Sequence, residues 1–435
     1  MVLLFFSQEI TPRLEYIVNL ICREILGIDC QITTDKDQFS KYSEPKINYS
    51  SLFFDDSFKI NPAGLLFEKG IRQLDMYVPV YKDMHVFFLT DPGSDIPFDL
   101  FSASFYMVTR YEEYLDFNED EHGRFEADQS IAYENGFLNE PVVNQWTREL
   151  SESLVNKFPE LKIKKNKFHF IPTIDVDEPF AYLHKGIFRN AGAILNSYLK
   201  GNKKEGAKRF KVLIRKMEDP YFTFPFIKKN HDRFKLDPVF FILAGKRSKF
   251  DKNISLGKKG YRNLLLDLVK KYEIGVHLSY KSNSNIDILS GEINGLSLVL
   301  GRPVHISRQH FLKLRFPETY RNLIQFGIKE DYTMGYASRT GFRAGIASPF
   351  NFYDLEREEE TGLKVFPFQV MDGTLKDYLR LEPPEAIQRI RELIEKVRKV
   401  NGTFISLWHN SSLNNQGEWK GWRKVYEEMI KLCVN

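Results

Sequence analysis

FHFIPTIDVDEP, residues 168–179, is the stretch whose reading decides the fold. It is an apolar run that ends on two acids, and a short apolar run between charged or turn-forming segments reads as a buried strand. The charged connector LKIKKNK, residues 161–167, leads into it. We therefore place a domain boundary there, with a smaller N-terminal α/β domain over 1–165 and a second domain over 166–435. The strand signal returns in PVFFIL (238–243), EIGVHL (273–278), PVHISR (303–308), FGIKEDY (326–332), GFRAG (341–345), VFPFQVM (365–371) and TFISLW (403–408). Helical patterns such as YRNLLLDLVKKY, PETYRNLIQF and PEAIQRIRELIEKVRKV separate many of these runs. Strands alternating with helices in this number predict a distorted parallel (β/α) barrel rather than an open doubly wound sheet. Neither GxGxxG nor GxxxxGK[ST] occurs, which removes the best signal for a nucleotide-binding alternative.

The N-terminal part alternates an amphipathic stretch from Pro12 to Leu26, a strand-like Ile28 to Thr33, and apolar runs at 76–80 and 85–89. Its most distinctive segment is DLFSASFYMVTRYEEYLDF, residues 99–117, followed by the polar NEDEHGRF. That pattern predicts a core or interdomain helix ending in a solvated loop, with a binding role for Arg110, Tyr111 or Glu113 as the alternative. The 62 Lys and Arg against 58 Asp and Glu leave a net charge of +4, and the basic residues read as scattered or helical rather than gathered into one long tract, so nucleic acid is not the implied partner. Aromatic residues make up 14%, enough to fill the core and leave some for stacking on sugar rings. Cys22, Cys30 and Cys433 form no CxxC and no even framework, which predicts free thiols in a reducing compartment. The start has no leader pattern and no run is long enough to span a membrane, so the expected location is cytoplasmic, with no membrane partner.

A barrel predicts its chemistry at the C-terminal strand ends, and several polar residues fall there. Asp175 and Asp177, two apart on an extended backbone, share a side, so one can bind a cation while the other stays free as a base. His277 ends the third run; Arg308 and His310 end the fourth. Asp177, His277 and His310 compose a His₂-carboxylate set that leaves a position open for water, as catalytic zinc requires. Asp372 and His409 end the last two runs, a carboxylate beside an imidazole that suits a general acid. His184 reads as a helix-surface residue, and His85, His122, His169, His231 and His305 receive no functional role.

In this order of motifs the chain from Phe168 onward resembles the polysaccharide deacetylase family, carbohydrate esterase family four and its relatives. TIDVD, residues 173–177, looks like that family's TFDD with one residue inserted, which implies Asp175 as base and Asp177 as metal ligand. HLSYK at 277–281 matches HSxxH in its first histidine, while Lys281 stands where the second ligand is expected; we infer that His310 supplies that imidazole. RQHF at 308–311 looks like RxPY, with Arg343 in GFRAG as a competing motif arginine. Asp372 is similar to the family's fourth-motif aspartate, and His409 takes the place of the last-motif histidine by order, with Ser406 where a leucine is usual. The N-terminal FYMVTRYEEY and GRFEADQSIAYENGFLNEPVV also look like the uncharacterised domain that precedes deacetylase-like barrels in some bacterial proteins.

The resemblance implies hydrolysis of an N-acetylated sugar to acetate and a free amino sugar. Asp175 would act as base, His409 with Asp372 as acid, and Arg308 or Arg343 would hold Asp175. Two imidazoles and a carboxylate suit zinc, with cobalt, nickel and manganese as alternatives. The rival readings are a non-catalytic carbohydrate-binding barrel, in which Lys281 marks a lost metal site, and a scaffold protein with an apolar patch around Tyr111 to Phe117.

Overall fold

The computed structural model describes residues 2–90, 93–164 and 166–434. The boundary drawn at residue 165 thus falls on a position outside the described residues. No helix among the described residues is long and apolar enough to cross a membrane.

The fold is mixed α/β. Near the N-terminus a four-stranded sheet takes the order β2-β1-β3-β4, from β1 (Leu3–Ser7), β2 (Cys30–Thr33), β3 (Lys46–Tyr49) and β4 (Phe58–Lys59), all parallel. The amphipathic stretch after β1 forms a helix at Pro12–Val18, capped by the Thr11 hydroxyl and continued by a wider turn through Asn19–Ile25. The apolar runs at 76–80 and 85–89 contribute little strand; only a small hairpin forms, β5 (Val80–Tyr81) with β6 (Met84–His85). Asp99 caps the helix Leu100–Val108, accepting from the amides of Phe101 and Ser102. The chain breaks that helix at Arg110, in the left-handed region at φ 55°.

The second sheet has nine strands: β7 (His169–Val176), β8 (Val239–Leu243), β9 (Glu273–Leu278), β10 (Ile306–Gln309), β11 (Glu330–Asp331), β12 (Phe350–Asp354), β13 (Glu359–Val365), β14 (Val370–Met371) and β15 (Thr403–His409). Their order is β12-β13-β11-β10-β9-β8-β7-β15-β14, parallel throughout except for the β12–β13 hairpin. Along each central strand, alternate residues share a face. Thr173 and Asp175, Phe241, Gly275 and His277, Ile306 and Arg308, Ile405, Leu407 and His409 fall in one phase of that alternation. Phe241, Ile306, Ile405 and Leu407 pack in one cluster with Tyr332 and Phe368, and this plugs the space below the polar strand ends. Gly275 is required there, because a Cβ would stand 2.7 Å from the Phe241 ring and 3.0 Å from the Ile306 carbonyl.

The expectation of a barrel is corrected: among the described residues the ladder does not close. The expected strand at 326–332 shrinks to the two residues of β11, and 341–345 is not a strand. That segment bonds to the N-terminal part of the chain instead, Phe342 donating to the Leu138 carbonyl and Val143 to the Gly345 carbonyl. Gly341, at φ 127°, allows the approach, since a Cβ there would meet the Leu138 carbonyl oxygen at 2.4 Å. At the other edge, Tyr16 donates to the Asn351 carbonyl (2.7 Å), and Arg13 pairs with Glu358 in the turn of the β12–β13 hairpin.

Candidate functional site

Strand register brings the polar ends together. Parallel pairing sets His409 opposite Asp175 and Arg308 opposite His277. Arg308 is fully buried, its Nη1 donating to Asp175 Oδ1 (2.7 Å) and Thr173 Oγ1 (2.8 Å), its Nε to the Tyr332 carbonyl (2.9 Å). The guanidinium lies over the Phe241 ring at 4.3 Å, so its charge meets both a carboxylate and an aromatic face.

Each histidine around Asp177 has one nitrogen committed. His277 Nδ1 lies 3.0 Å from the Arg308 carbonyl, an acceptor only, so Nδ1 carries the proton there and Nε2 presents its lone pair. His310 Nδ1 lies 2.9 Å from Asp251 Oδ1, which turns Nε2 inward in the same way. The inward Nε2 atoms reach Asp177 at 3.3 Å (His277 to Oδ1) and 3.5 Å (His310 to Oδ2). The three groups offer ligand atoms all within 4.8 Å of one another.

These residues fit a divalent ion on two grounds. Two atoms each about 2.1 Å from one ion at the tetrahedral angle lie about 3.4 Å apart, the spacing seen here, whereas charged hydrogen bonds are shorter. Asp177 Oδ1 is buried without a hydrogen-bond partner, a cost that a bound cation removes. Burial works to raise the Asp177 carboxyl, but the charge of the facing His310, with that of His409 beyond it, holds it well below the usual carboxylate range. Burial likewise disfavours the charged His310, yet Asp177 and Asp251 push it up to about 9.

His409 also approaches Asp177, its Nε2 3.8 Å from the same Oδ2 that faces His310. Asp372, fully buried, accepts from the His409 backbone amide and contacts its Nδ1, both at 2.8 Å. Burial opposes the charged ring, but the Asp372 charge and hydrogen bond, with Asp177 and Asp175 beyond, push it up to about 10. The arrangement can therefore hold a cation, accept a proton at Asp175 and deliver one from His409.

Of the residues expected from sequence, Asp175, Asp177, His277, Arg308, His310, Asp372 and His409 lie together. Arg343 does not. Its guanidinium is buried on Glu113 (Nη2 to Oε2, 2.5 Å) and on the Gly335 carbonyl, so of the two competing arginines only Arg308 touches Asp175. Lys281 is exposed and lines a neighbouring cleft rather than the triad. His184 sits in a turn at φ 60° rather than on a helix.

Two features escaped the sequence reading. Asp251 lies in the loop after β8 and orients His310; no periodicity marks a loop carboxylate. The NEDEHGRF loop is not merely solvated: Arg124 is buried and donates to the Phe311 carbonyl (2.8 Å), and His122 packs on Phe250, Tyr280 and Phe311. The N-terminal part of the chain thus builds a share of the rim beside His310.

A family of unknown function, DUF7033, matches residues 3–159. No curated protein matches the chain. Among solved structures, a Mycobacterium smegmatis protein described as a polysaccharide deacetylase is similar at 15% identity and a TM-score of 0.39, over 61% of this chain and 84% of that one. Puue allantoinase is similar at 10% identity and a TM-score of 0.38, over 60% and 83%. A wild-type CE4 family pseudoenzyme from Bacillus anthracis is similar at 12% identity and a TM-score of 0.30, over 61% of this chain and 62% of its own. These likenesses are distant, and the geometry of the site carries the functional reading.

Proposed function

We propose that this protein is a metal-dependent hydrolase of the polysaccharide deacetylase type, removing acetyl from an N-acetylated sugar or glycan. The observation that carries this reading is the convergence of Asp177, His277 and His310, with Asp175 and His409 both within reach of it. Those three residues would hold a zinc ion, which when bound lowers the pKa of a water toward neutrality and polarises the acetamide carbonyl. Asp175, fixed by Arg308, accepts the proton of the attacking water. His409, charged and oriented by Asp372, gives its proton to the departing nitrogen, so that acetate and a free amino sugar leave. The buried Arg308 and the aromatic plug beneath it close the floor of the site to bulk water.

The rival reading, a non-catalytic carbohydrate-binding protein, draws on Lys281 in the place of the second motif histidine. Metal analysis of purified protein, paired with acetate release from N-acetylglucosamine oligomers, separates the two. The hydrolase reading expects stoichiometric zinc and acetate release in the native chain and neither in Asp177→Ala. A native chain that holds no stoichiometric metal and is indifferent to that substitution overturns it.

A further inference from the structure

Between the end of β7 and the start of β8 the chain forms two antiparallel helices, Ile187–Leu199 and Lys203–Leu213. Val212 is buried at their base, but several of their larger apolar residues face solvent. Phe188, Leu195 and Leu199 recur at i, i+7 and i+11, the spacing of one helical face, and that face looks into solvent. Phe188 is 95% exposed, Leu199 78% and the adjoining Ile187 85%. On and just past the second helix Phe210 and Ile214, four apart, are exposed as well. Single exposed apolar residues need no explanation, but a row of them along one helix face marks an interaction surface.

Charge identifies the partner. From Lys185 to Lys216 the chain carries ten Lys or Arg against the single Glu205, a net of +9 in a protein whose total is +4. Lys200, Lys203, Lys204, Lys211, Arg215 and Lys216 are all exposed. Exposed apolar side chains interleaved with a dense basic set match an anionic bilayer surface, where the apolar face enters the headgroup boundary and the cations meet lipid phosphates. A second protein chain would have to bring both a large apolar face and a matching excess of acid.

The hairpin is firmly set on the fold. Gly206 lets its helices close, since a Cβ there would sit 2.8 Å from the Tyr198 ring. At its base Asp219 accepts from the amides of Ala181, Tyr182 and Leu183 at 2.7–2.9 Å, and Asn190 donates to the Tyr182 carbonyl. This base follows directly on Asp175 and Asp177, so the hairpin grows from the strand end that carries the site.

We infer that the 187–213 hairpin docks this protein on the surface of an anionic lipid bilayer, as a peripheral attachment that needs no spanning helix. The lack of a span, from which no membrane partner is expected, does not bear on a surface of this kind. Sedimentation of the full chain with vesicles of phosphatidylcholine, alone or mixed with phosphatidylglycerol, tests it. Binding is expected to the mixed vesicles at low salt, weakened by added salt. Combined Lys203→Gln, Lys204→Gln and Lys211→Gln should reduce partition roughly a hundredfold. Phe188→Ser, Leu195→Ser and Leu199→Ser together should also release the protein, with circular dichroism checking that the fold is kept. No partition into anionic vesicles at low salt, or partition undiminished in both variants, overturns the inference. So does a dimer that the serine variant dissociates while the native chain ignores vesicles. Vesicle binding is read without reference to metal or acetate release, so it stands or falls independently of the proposed reaction.

Discussion

Asp251 accepts a hydrogen bond from Nδ1 of His310 and so decides which nitrogen of that ring faces Asp177. Its own position is set by the Ser248 hydroxyl at 2.6 Å and the Tyr280 amide at 3.0 Å. Removing such an orienting carboxylate typically weakens metal affinity by about 10- to 100-fold. We expect that loss in Asp251→Ala, measured by zinc titration, with a melting curve run alongside; an unchanged affinity would show that His310 needs no help. His409 lies outside the triad, so His409→Ala should keep its zinc and lose about 10²- to 10⁴-fold in acetate release. Loss of zinc along with rate would make His409 a ligand instead. Asp175, Asp177 and His277 could be picked out from their spacing and from the resemblance of their motifs, and His409 from strand order. Asp251 was not, since nothing local distinguishes a loop aspartate that supports an imidazole from one that is merely solvated.

The elements behave in the same divided way. The runs at 168–175, 238–243, 273–278 and 403–408 became β7, β8, β9 and β15 with small shifts at their ends. Central strands covered on both faces show continuous apolar runs, and those are hard to misread. The run at 341–345 failed because its backbone groups found partners in the N-terminal part of the chain. Helix Phe224–Phe234 carries a further consequence. His231 is fully buried, its Nε2 2.7 Å from the Tyr426 hydroxyl on the C-terminal helix Trp422–Val434. Burial, with Lys271 adding to it, lowers this histidine from 6.5 to about 4. The unfolded chain therefore takes up a proton more readily than the folded one. The stabilisation is complete above pH 6.5 and is lost as pH falls toward 4, by up to about 3 kcal/mol. Denaturant unfolding across that range should show the slope in the native chain and a flatter one in His231→Gln.

At the scale of the whole molecule, the two parts of the chain are joined by buried charge. Arg110 donates to the Arg343 carbonyl and to Tyr336, while Arg110 and Arg343 both grip Glu113. Tyr111, Glu112 and Glu113 are buried, so the start of the apolar docking patch that a scaffold reading places there is not open to a partner. Arg343→Met leaves Glu113 with half its compensation, and a cost of about 3 kcal/mol is expected in urea unfolding. Residues 166–435 expressed alone should lack a cooperative transition, because Gly341 to Gly345 would lose Leu138 and Val143; a sharp transition in that fragment would refute the shared seam. By itself the sequence determined the alternation of strands and helices, the phase of each central strand, and hence which acids and imidazoles could stand at one sheet end. Those follow from local periodicity, which a chain carries wherever it is folded. Only the tertiary structure decided that the sheet stays open, that Arg308 rather than Arg343 meets Asp175, that Asp251 orients His310, and that a basic hairpin faces outward with its apolar side bare. Each of these depends on how segments far apart in the chain pair or fail to pair, set by register and packing that no local pattern encodes.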